Sequence, residues 1–210
     1  MSKFDAALFF DRLAAATPVP RTELDYRNPY TLLVAVVLSA QATDAGVNKA
    51  TRELFKLADS PEKMLALGEA KLKAQVRTIG LFNTKSRNIV KFSEILVTEH
   101  GGQVPAVREA LEALPGVGRK SANVVLNVAF GQPVIAVDTH IFRVCNRTGL
   151  APGKRPRAVE DALDAIVPPA RKLLAHHWLI LHGRHVCKAR RPKCPTCVVR
   201  DLCRYKEKER

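Results

Sequence analysis

The stretch LPGVGRKS, residues 114–121, lies between two segments of helical composition, residues 107–114 and 119–130. Gly116 and Gly118 allow backbone conformations with positive φ and let an anion come close to the main chain. The second helix would add its unpaired N–H groups and the positive end of its dipole. We therefore predict a helical hairpin that holds an anion, such as a phosphate group, at its turn. A nucleotide-binding loop is disfavoured because no strand precedes the turn, whereas an ordinary connection between two helices remains an alternative.

The remaining sequence also predicts helices. Of the 210 residues, 47% are hydrophobic but only 6% are aromatic, and no strand-length alternation of polar and apolar residues is sustained. The apolar run from Tyr30 to Ala40 is too short to cross a bilayer and suits a buried helix. We expect an all-α protein. Glycines and prolines separate the predicted helices, which span residues 4–15, 30–40, 44–58, 60–76, 84–100, 107–114, 119–130, 139–147, 157–167, 170–182 and 198–205.

Four cysteines with the spacing C-x6-C-x2-C-x5-C lie in the last quarter of the chain: Cys187, Cys194, Cys197 and Cys203. Four thiolates this close in sequence can surround one metal centre, and the spacing alone leaves zinc and iron–sulfur as alternatives. Disulfides are disfavoured, because the first residues, MSKFD, contain no signal-peptide apolar region and we expect a cytoplasmic protein. The fifth cysteine, Cys145, is expected to be a small buried hydrophobe.

The charge balance predicts an anionic partner. The chain has 34 Lys and Arg against 20 Asp and Glu, a formal net charge of +14, and such a surplus is typical of nucleic-acid binding. The surplus is concentrated near the cysteines, where the stretch KARRPK between Cys187 and Cys194 carries four cations. We expect Arg190 and Arg191 in this stretch to contact phosphate groups.

Several motifs in one order resemble the helix-hairpin-helix DNA glycosylases, and in particular their endonuclease III branch. The LPGVGRK turn resembles the hairpin, and the segment from Gly131 to Pro133, followed by VDTH at residues 137–140, resembles the Gly/Pro-rich loop and aspartate of that family. LSAQATD at residues 38–44 and IGLFNTK at residues 79–85 resemble further segments of the branch. The cysteine spacing resembles its [4Fe-4S] loop, so the resemblance implies a [4Fe-4S] cluster bound by these cysteines.

The resemblance also implies two helical domains that flank an active-site cleft. One would be continuous, residues 22–132, and would end in the hairpin. The other would combine residues 1–21 with residues 133–210 and carry the cluster loop, residues 187–203. Catalysis would then depend on how the two domains are held together.

Lys120 is implied as the catalytic residue of a bifunctional enzyme. It would attack the sugar C1′ and form a Schiff base, so that base removal is followed by strand cleavage through β-elimination. A nucleophilic lysine must be neutral, so its surroundings must lower the ordinary lysine pKa of about 10.4. The positive end of a helix and the adjacent cation Arg119 both disfavour the ammonium form. The residues alone favour a phosphate contact for Lys120, which is also the role expected for Arg119.

The resemblance implies functional roles for three further residues. Asp138 would stabilise positive charge on the sugar or accept a proton, although it is also a good N-cap for the helix that follows. Gln41 and Leu81 would enter the duplex when the damaged base is extruded. From the residues alone, Gln41 could instead be a helix-terminal amide that bonds free backbone carbonyls, and Leu81 could be an apolar residue that packs a turn. The cations that follow, Lys85, Arg87 and Lys91, either contact phosphate groups or form a solvated helix face.

The implied function is base excision repair. The enzyme would remove oxidised or saturated pyrimidines from duplex DNA and cleave abasic sites, as a monomer in the cytoplasm, associated with the nucleoid through DNA and with no membrane. Two alternatives remain: a non-catalytic iron–sulfur protein that binds DNA, and a related glycosylase for mispaired or methylated bases.

Overall fold

The computed structural model describes residues 5–209, with the side chains of residues 5–208. Within this range the chain forms helices and turns without a strand, which confirms the all-α prediction. The α-helices are α1 (Ala6–Ala16), α2 (Pro29–Leu38), α3 (Asp44–Leu57), α4 (Pro61–Leu67), α5 (Glu69–Val76), α6 (Phe82–His100), α7 (Arg108–Glu112), α8 (Arg119–Phe130), α9 (Thr139–Thr148), α10 (Pro156–Ile166) and α11 (Pro169–His185). Short 3-10 helices span Cys194–Thr196 and Lys206–Glu209. None of the helices so described is long and apolar enough to cross a membrane.

Two of the predicted helices are wrong. The segment 60–76 is divided into α4 and α5 at Gly68, whose φ of +78° lies outside the helical region and is readily adopted only by glycine. The segment 198–205 forms turns instead of a helix, with the N–H of Arg200 donating to the carbonyl of Cys197 and that of Cys203 to Arg200. Four cysteines that surround one centre need repeated changes of chain direction, which a straight helix does not provide.

Internal contacts divide the chain into two compact units. One is residues 22–131, and the other combines residues 1–21 with residues 132–210. Residues 1–4 and 210 of the predicted second domain lie outside the described residues. The domain assignment made from the sequence, including its active-site cleft, stays a prediction.

The core of unit 22–131 is built around α2. Its N-terminus carries a capping box, in which the Asn28 side chain accepts the N–H of Thr31 while the Thr31 hydroxyl accepts the N–H of Asn28. Every residue from Tyr30 to Leu38 is buried, as expected for a helix that is apolar on all sides. This helix packs against α3, α6 and α8. The end of α2 therefore has a fixed position from which residues 39–43 project.

The second unit has a core of its own, formed by α1, α9, α10 and α11. Phe10 of α1 packs near Trp178 of α11, whose indole N–H donates to the Thr17 carbonyl at 2.8 Å. Val199, between the third and fourth cysteines, is fully buried in the same core. The cysteine-rich segment is thus anchored to the unit by an apolar side chain as well as by any metal centre.

Candidate functional site

The hairpin turn requires its first glycine. Gly116 has a φ of +80°, and a Cβ added there would lie 2.5 Å from the side-chain nitrogen of Asn88 and 3.2 Å from its Cβ. Val117 is buried and its N–H donates to the Leu114 carbonyl at 3.0 Å. Gly118 is the N-cap of α8 and has no side chain with which to cap the first turn of that helix. The turn therefore directs the positive end of α8 and its backbone toward an approaching anion.

Lys120 and Arg119 are the first two cations of α8. Lys120 is exposed in the first turn of the helix, whereas Arg119 is partly covered. The Arg119 guanidinium lies 3.7 Å from the Glu112 carboxylate, and both side chains are about one-third exposed. Such a surface pair is weak and easily exchanged for another anion. The Lys120 side chain lies in solvent at the start of α8, next to the hairpin turn.

Asp138 is the N-cap of α9. One of its carboxylate oxygens, Oδ1, accepts the N–H groups of His140 and Ile141 at 2.9 and 2.8 Å. Within the part of the chain that is described, no hydrogen bond is made by the other oxygen, Oδ2. The cap fixes the orientation of the carboxylate.

Gln41 and Leu81 share an unusual backbone conformation. Both are non-glycine residues with positive φ, +57° and +59°, and both are exposed, Leu81 by 61%. This left-handed conformation costs about 1 kcal/mol or more for a residue with a Cβ and is found preferentially at functional sites. The exposure of Leu81 does not favour a residue that packs a turn, because most of its side chain contacts solvent. The exposure of Gln41 likewise does not favour an amide that bonds backbone carbonyls. The sequence offers no local signal for this conformation.

Lys85 is not a surface cation. Its side chain is 5% exposed, and its ammonium group donates to the carbonyls of Leu38 at 2.9 Å and Ala40 at 2.6 Å. Burial lowers the pKa of Lys85. Both sequence-based interpretations of this lysine, a phosphate contact and a solvated face, are therefore wrong, whereas Arg87 and Lys91 are exposed. The carbonyls left free at the end of α2 are bonded by Lys85 and not by Gln41.

The four cysteines are half-buried and line one pocket, together with Arg147 and His182 among others. A single zinc ion holds each thiolate at about 2.3 Å, so its sulfurs must lie close together. Among the described residues, no three His, Cys, Asp or Glu side chains are arranged to hold one metal ion. Four thiolates that line one pocket fit a cluster of several irons, in which each thiolate would bind a different iron. Cys145 is fully buried in α9, as predicted, and burial raises its pKa to about 12.

Two arginines of α9 support the cysteine loop from inside. Arg143 donates to the carbonyls of Cys187 at 2.9 Å and Gly183 at 2.8 Å. Arg147 donates to the carbonyls of Lys188 and Ala189 at 2.6 and 3.0 Å, and its guanidinium lies 4.8 Å from the centre of the Tyr205 ring. Sequence reasoning missed both residues, although their spacing of four places them on one face of a predicted helix.

Arg190 and Arg191 are exposed at the tip of the same loop. Arg191 has a φ of +51°, which turns the chain back toward the second cysteine. His182, by contrast, is buried, with its Nε2 at 3.8 Å from the Cys197 sulfur, and burial lowers its pKa to about 4. The loop therefore presents its cations outward and keeps a neutral histidine beside the sulfurs.

Comparison with known proteins gives consistent matches along the chain. A family model described as HhH-GPD superfamily base excision DNA repair protein matches residues 34–169, and a model of the iron–sulfur binding domain of endonuclease III matches residues 187–203. Endonuclease III of Haemophilus influenzae is 57% identical and that of Escherichia coli K12 is 56% identical, each over 208 residues covering 99% of both chains. A solved structure of a trapped endonuclease III–DNA covalent intermediate superposes with a TM-score of 0.91, at 44% identity and covering 97% of each chain.

The chain therefore belongs to the HhH-GPD superfamily of base excision DNA repair proteins and, within it, to the endonuclease III family. It is a DNA glycosylase with abasic-site lyase activity. Its cofactor is a [4Fe-4S] cluster, so the choice between zinc and iron–sulfur that the cysteine spacing left open is decided for iron–sulfur.

Replacing Cys197 with alanine is expected to abolish cluster binding. Iron and acid-labile sulfide, measured per chain after anaerobic purification, should be about four each in the wild type and well below one in Cys197→Ala. The control is Cys145→Ala, which removes a buried thiol of α9 and should keep the full iron content. Full iron in Cys197→Ala, or loss of iron in the control alone, would contradict the assignment of the cysteines.

Neutralising Arg190 and Arg191 together is expected to flatten the salt dependence of DNA binding. Each phosphate contact contributes about 0.9 to the slope of log K against log salt, so the slope should fall by about two. Binding of a fluorescent duplex would be measured from low to moderate salt. The control Lys56→Ala/Lys63→Ala removes two exposed lysines that pair with Glu53 and Asp59 and lowers the net charge equally. An unchanged slope in the arginine variant would exclude the loop from the interface.

Proposed function

We propose that this protein removes oxidised or ring-saturated pyrimidines from duplex DNA and then cleaves the abasic site, with Lys120 as the nucleophile. The proposal is supported above all by the position of Lys120, an exposed residue in the first turn of α8, directly after the hairpin turn. An amine in this position approaches the sugar of a nucleotide whose phosphate group is held at the turn. The lesion class is taken from the endonuclease III family.

Lys120 forms a covalent bond to DNA during the reaction. Its neutral amine attacks the sugar C1′, the bond from C1′ to the base breaks, and the base leaves with a proton. The C1′–O4′ bond of the sugar ring then opens, O4′ takes up a proton, and C1′ and the lysine nitrogen form the protonated imine, the Schiff base. Removal of a proton from C2′ then expels the 3′ phosphate group, and water releases the enzyme. The positive end of α8 favours the neutral amine over the ammonium form. A related endonuclease III has been trapped as a covalent intermediate with DNA, which supports a covalent step.

Asp138 stabilises the positive charge that develops on the sugar and accepts a proton as the base departs. Its Oδ1 is held by two N–H groups of α9, so the carboxylate does not rotate when charge forms next to it. A fixed carboxylate needs little reorganisation and is therefore more effective than a mobile one.

Gln41 and Leu81 occupy the space that the extruded nucleotide leaves in the duplex. Extrusion costs a few kcal/mol of stacking and pairing, part of which an inserted side chain recovers. The exposed, left-handed backbone at both residues supports this role, because it projects the side chains away from the packed core.

The [4Fe-4S] cluster has a structural role, and we assign its four ligands to Cys187, Cys194, Cys197 and Cys203. These cysteines would hold the cluster through iron–thiolate bonds, in a segment whose regular structure is limited to one short 3-10 helix. The chain's own contribution comes from Arg143, Arg147 and Val199, which fix the loop from the core side. The loop then displays Arg190 and Arg191 to the phosphate backbone.

We further propose that the protein acts as a monomer on DNA that contains damaged bases or abasic sites, in the cytoplasm and associated with the nucleoid. The net charge of +14 supports DNA as the anionic partner. Light scattering during gel filtration measures the oligomeric state directly.

Substitution of Lys120 by arginine is expected to abolish covalent trapping on DNA. Arginine keeps a cation for phosphate groups but offers no neutral amine. Wild-type protein, incubated with borohydride, should form an adduct with duplexes that carry an abasic site, an oxidised pyrimidine or a ring-saturated pyrimidine. Lys120→Arg should form none, while its affinity for the abasic-site duplex stays within a few-fold.

Duplexes with a mispaired thymine or an alkylated purine serve as controls for the lesion class. Faster trapping on these than on damaged pyrimidines would assign the protein to a different glycosylase specificity. Absence of any adduct with wild type would exclude the nucleophile mechanism and favour a DNA-binding protein without lyase chemistry.

Substitution of Asp138 by asparagine is expected to lower the rate of base removal while preserving the fold. Asparagine caps helices as well as aspartate does, so α9 should keep its stability, whereas loss of the charge should slow single-turnover excision by about a hundredfold. Thermal unfolding and single-turnover excision would be measured together. The matched control is Asp5→Asn, which makes the same change at the N-cap of α1. Wild-type excision by Asp138→Asn would show that Asp138 is a cap only.

A further inference from the structure

Two turns of unit 22–131 lie side by side. A Cβ added at Gly80 would lie 4.0 Å from the Gln41 carbonyl oxygen, so the turn before α6 passes close to the turn after α2. Each turn contains one exposed residue in the left-handed conformation, Gln41 in the first and Leu81 in the second. Their separation therefore depends on what joins the end of α2 to the start of α6.

Lys85 provides this connection. Its backbone N–H donates to the Leu81 carbonyl at 3.1 Å, and its ammonium group donates to the carbonyls of Leu38 and Ala40. These two carbonyls stand on either side of Ser39, immediately before Gln41. One residue thus makes hydrogen bonds to both turns, and it is buried while it does so.

Burying an ammonium group between the end of α2 and the first turn of α6 has a large desolvation cost. Removing a cation from water costs several kcal/mol even after the surroundings adapt, and an apolar residue of similar length would pack without that penalty. A carbonyl at an exposed helix end can bond to water instead of to a lysine. The ammonium is favoured here because it lies at the negative end of the α2 dipole and donates to two carbonyls at once. These hydrogen bonds fix the geometry of the turns more narrowly than apolar packing would.

We propose that Lys85 is a positioning residue for base extrusion: it fixes the spacing between Gln41 and Leu81 by tying the carbonyls at the end of α2 to the first turn of α6. This inference rests on the proposed function, because it takes these two residues to be the ones that enter the duplex. Lys85 itself touches neither DNA nor the reacting atoms.

The spacing matters because extrusion is an unfavourable step that the inserted side chains must offset. Two side chains that enter one duplex have to meet adjacent base pairs in register. A displacement of about 1 Å in an element remote from the chemistry can reduce a rate by up to about a hundredfold. Substitution of Lys85 should therefore slow the reaction on duplex substrates, whereas the reaction on substrates that need no extrusion should be unaffected.

The test compares wild type with Lys85→Met, which keeps the length of the side chain but has no donor. The first readout is the fluorescence of 2-aminopurine placed opposite the lesion in a duplex, which rises when insertion disturbs stacking. The second is the single-turnover rate on that duplex, and the third is Schiff-base trapping on a single-stranded abasic site, where no partner strand has to be displaced. We expect the fluorescence rise and the duplex rate of Lys85→Met to fall by about tenfold or more, with single-strand trapping within twofold of wild type.

Two further variants separate positioning from general stability. Lys71→Met removes an exposed lysine of α5 in the same unit and should behave as wild type in all three readouts. Lys85→Arg keeps a cationic donor and should recover a large part of the duplex rate, so that the proposal stays testable even where the methionine variant folds poorly. In addition, Lys85→Met should have little further effect on the duplex rate when Gln41 is already alanine, because it acts through that side chain.

Two results would overturn the proposal. One is an equal loss of duplex and single-strand reaction in Lys85→Met, which would make Lys85 a stabilising residue only. The other is a duplex rate and fluorescence rise unchanged from wild type. Failure of the proposed function is distinguishable from both, because wild type would then trap no adduct on the single-stranded abasic site while its fluorescence rise would still report insertion.

Discussion

The contacts of helix α6 are the constraint on which the functional turns of unit 22–131 depend. Gln41, Leu81 and Gly116 all have positive φ, and a turn with such a backbone keeps its shape only where neighbouring groups hold it. The ammonium group of Lys85 in α6 donates to carbonyls just before Gln41, and its backbone N–H donates to the Leu81 carbonyl. Asn88 of the same helix packs against Gly116. One helix therefore supports both the turns that we assign to base extrusion and the hairpin that carries Lys120.

In the other unit, side-chain contacts hold the cysteine-rich segment in place. The segment from Cys187 to Cys203 has little regular structure, so a cluster, two arginines of α9 and the buried Val199 have to define it. The arginines point inward to carbonyls, whereas Arg190 and Arg191 point outward to solvent. The same residue type thus has two roles in one loop, and the division follows from which side of the cysteines each arginine occupies.

The sequence predicts the features that depend on local chemistry. The glycine pair of the hairpin, the start of α8 and the N-cap at Asp138 are encoded by residues whose conformational preferences act over a few positions. The inward direction of Lys85 was not predictable, because its exposure is decided by carbonyls more than forty residues away in the sequence. The left-handed backbone of Gln41 and Leu81 was missed for the same reason, since no glycine marks it. Residues 198–205 were predicted as a helix because their composition allows one, although the neighbouring cysteines require turns.

Identifying the residue that becomes attached to DNA tests whether Lys120 is the nucleophile. The borohydride-reduced adduct formed by wild-type protein with an abasic-site duplex would be digested with nuclease and protease and analysed by mass spectrometry. We expect the sugar remnant on the peptide that contains Lys120, attached to the Nζ of that residue. A remnant on the N-terminal amine or on another lysine, with Lys120 unmodified, would contradict it.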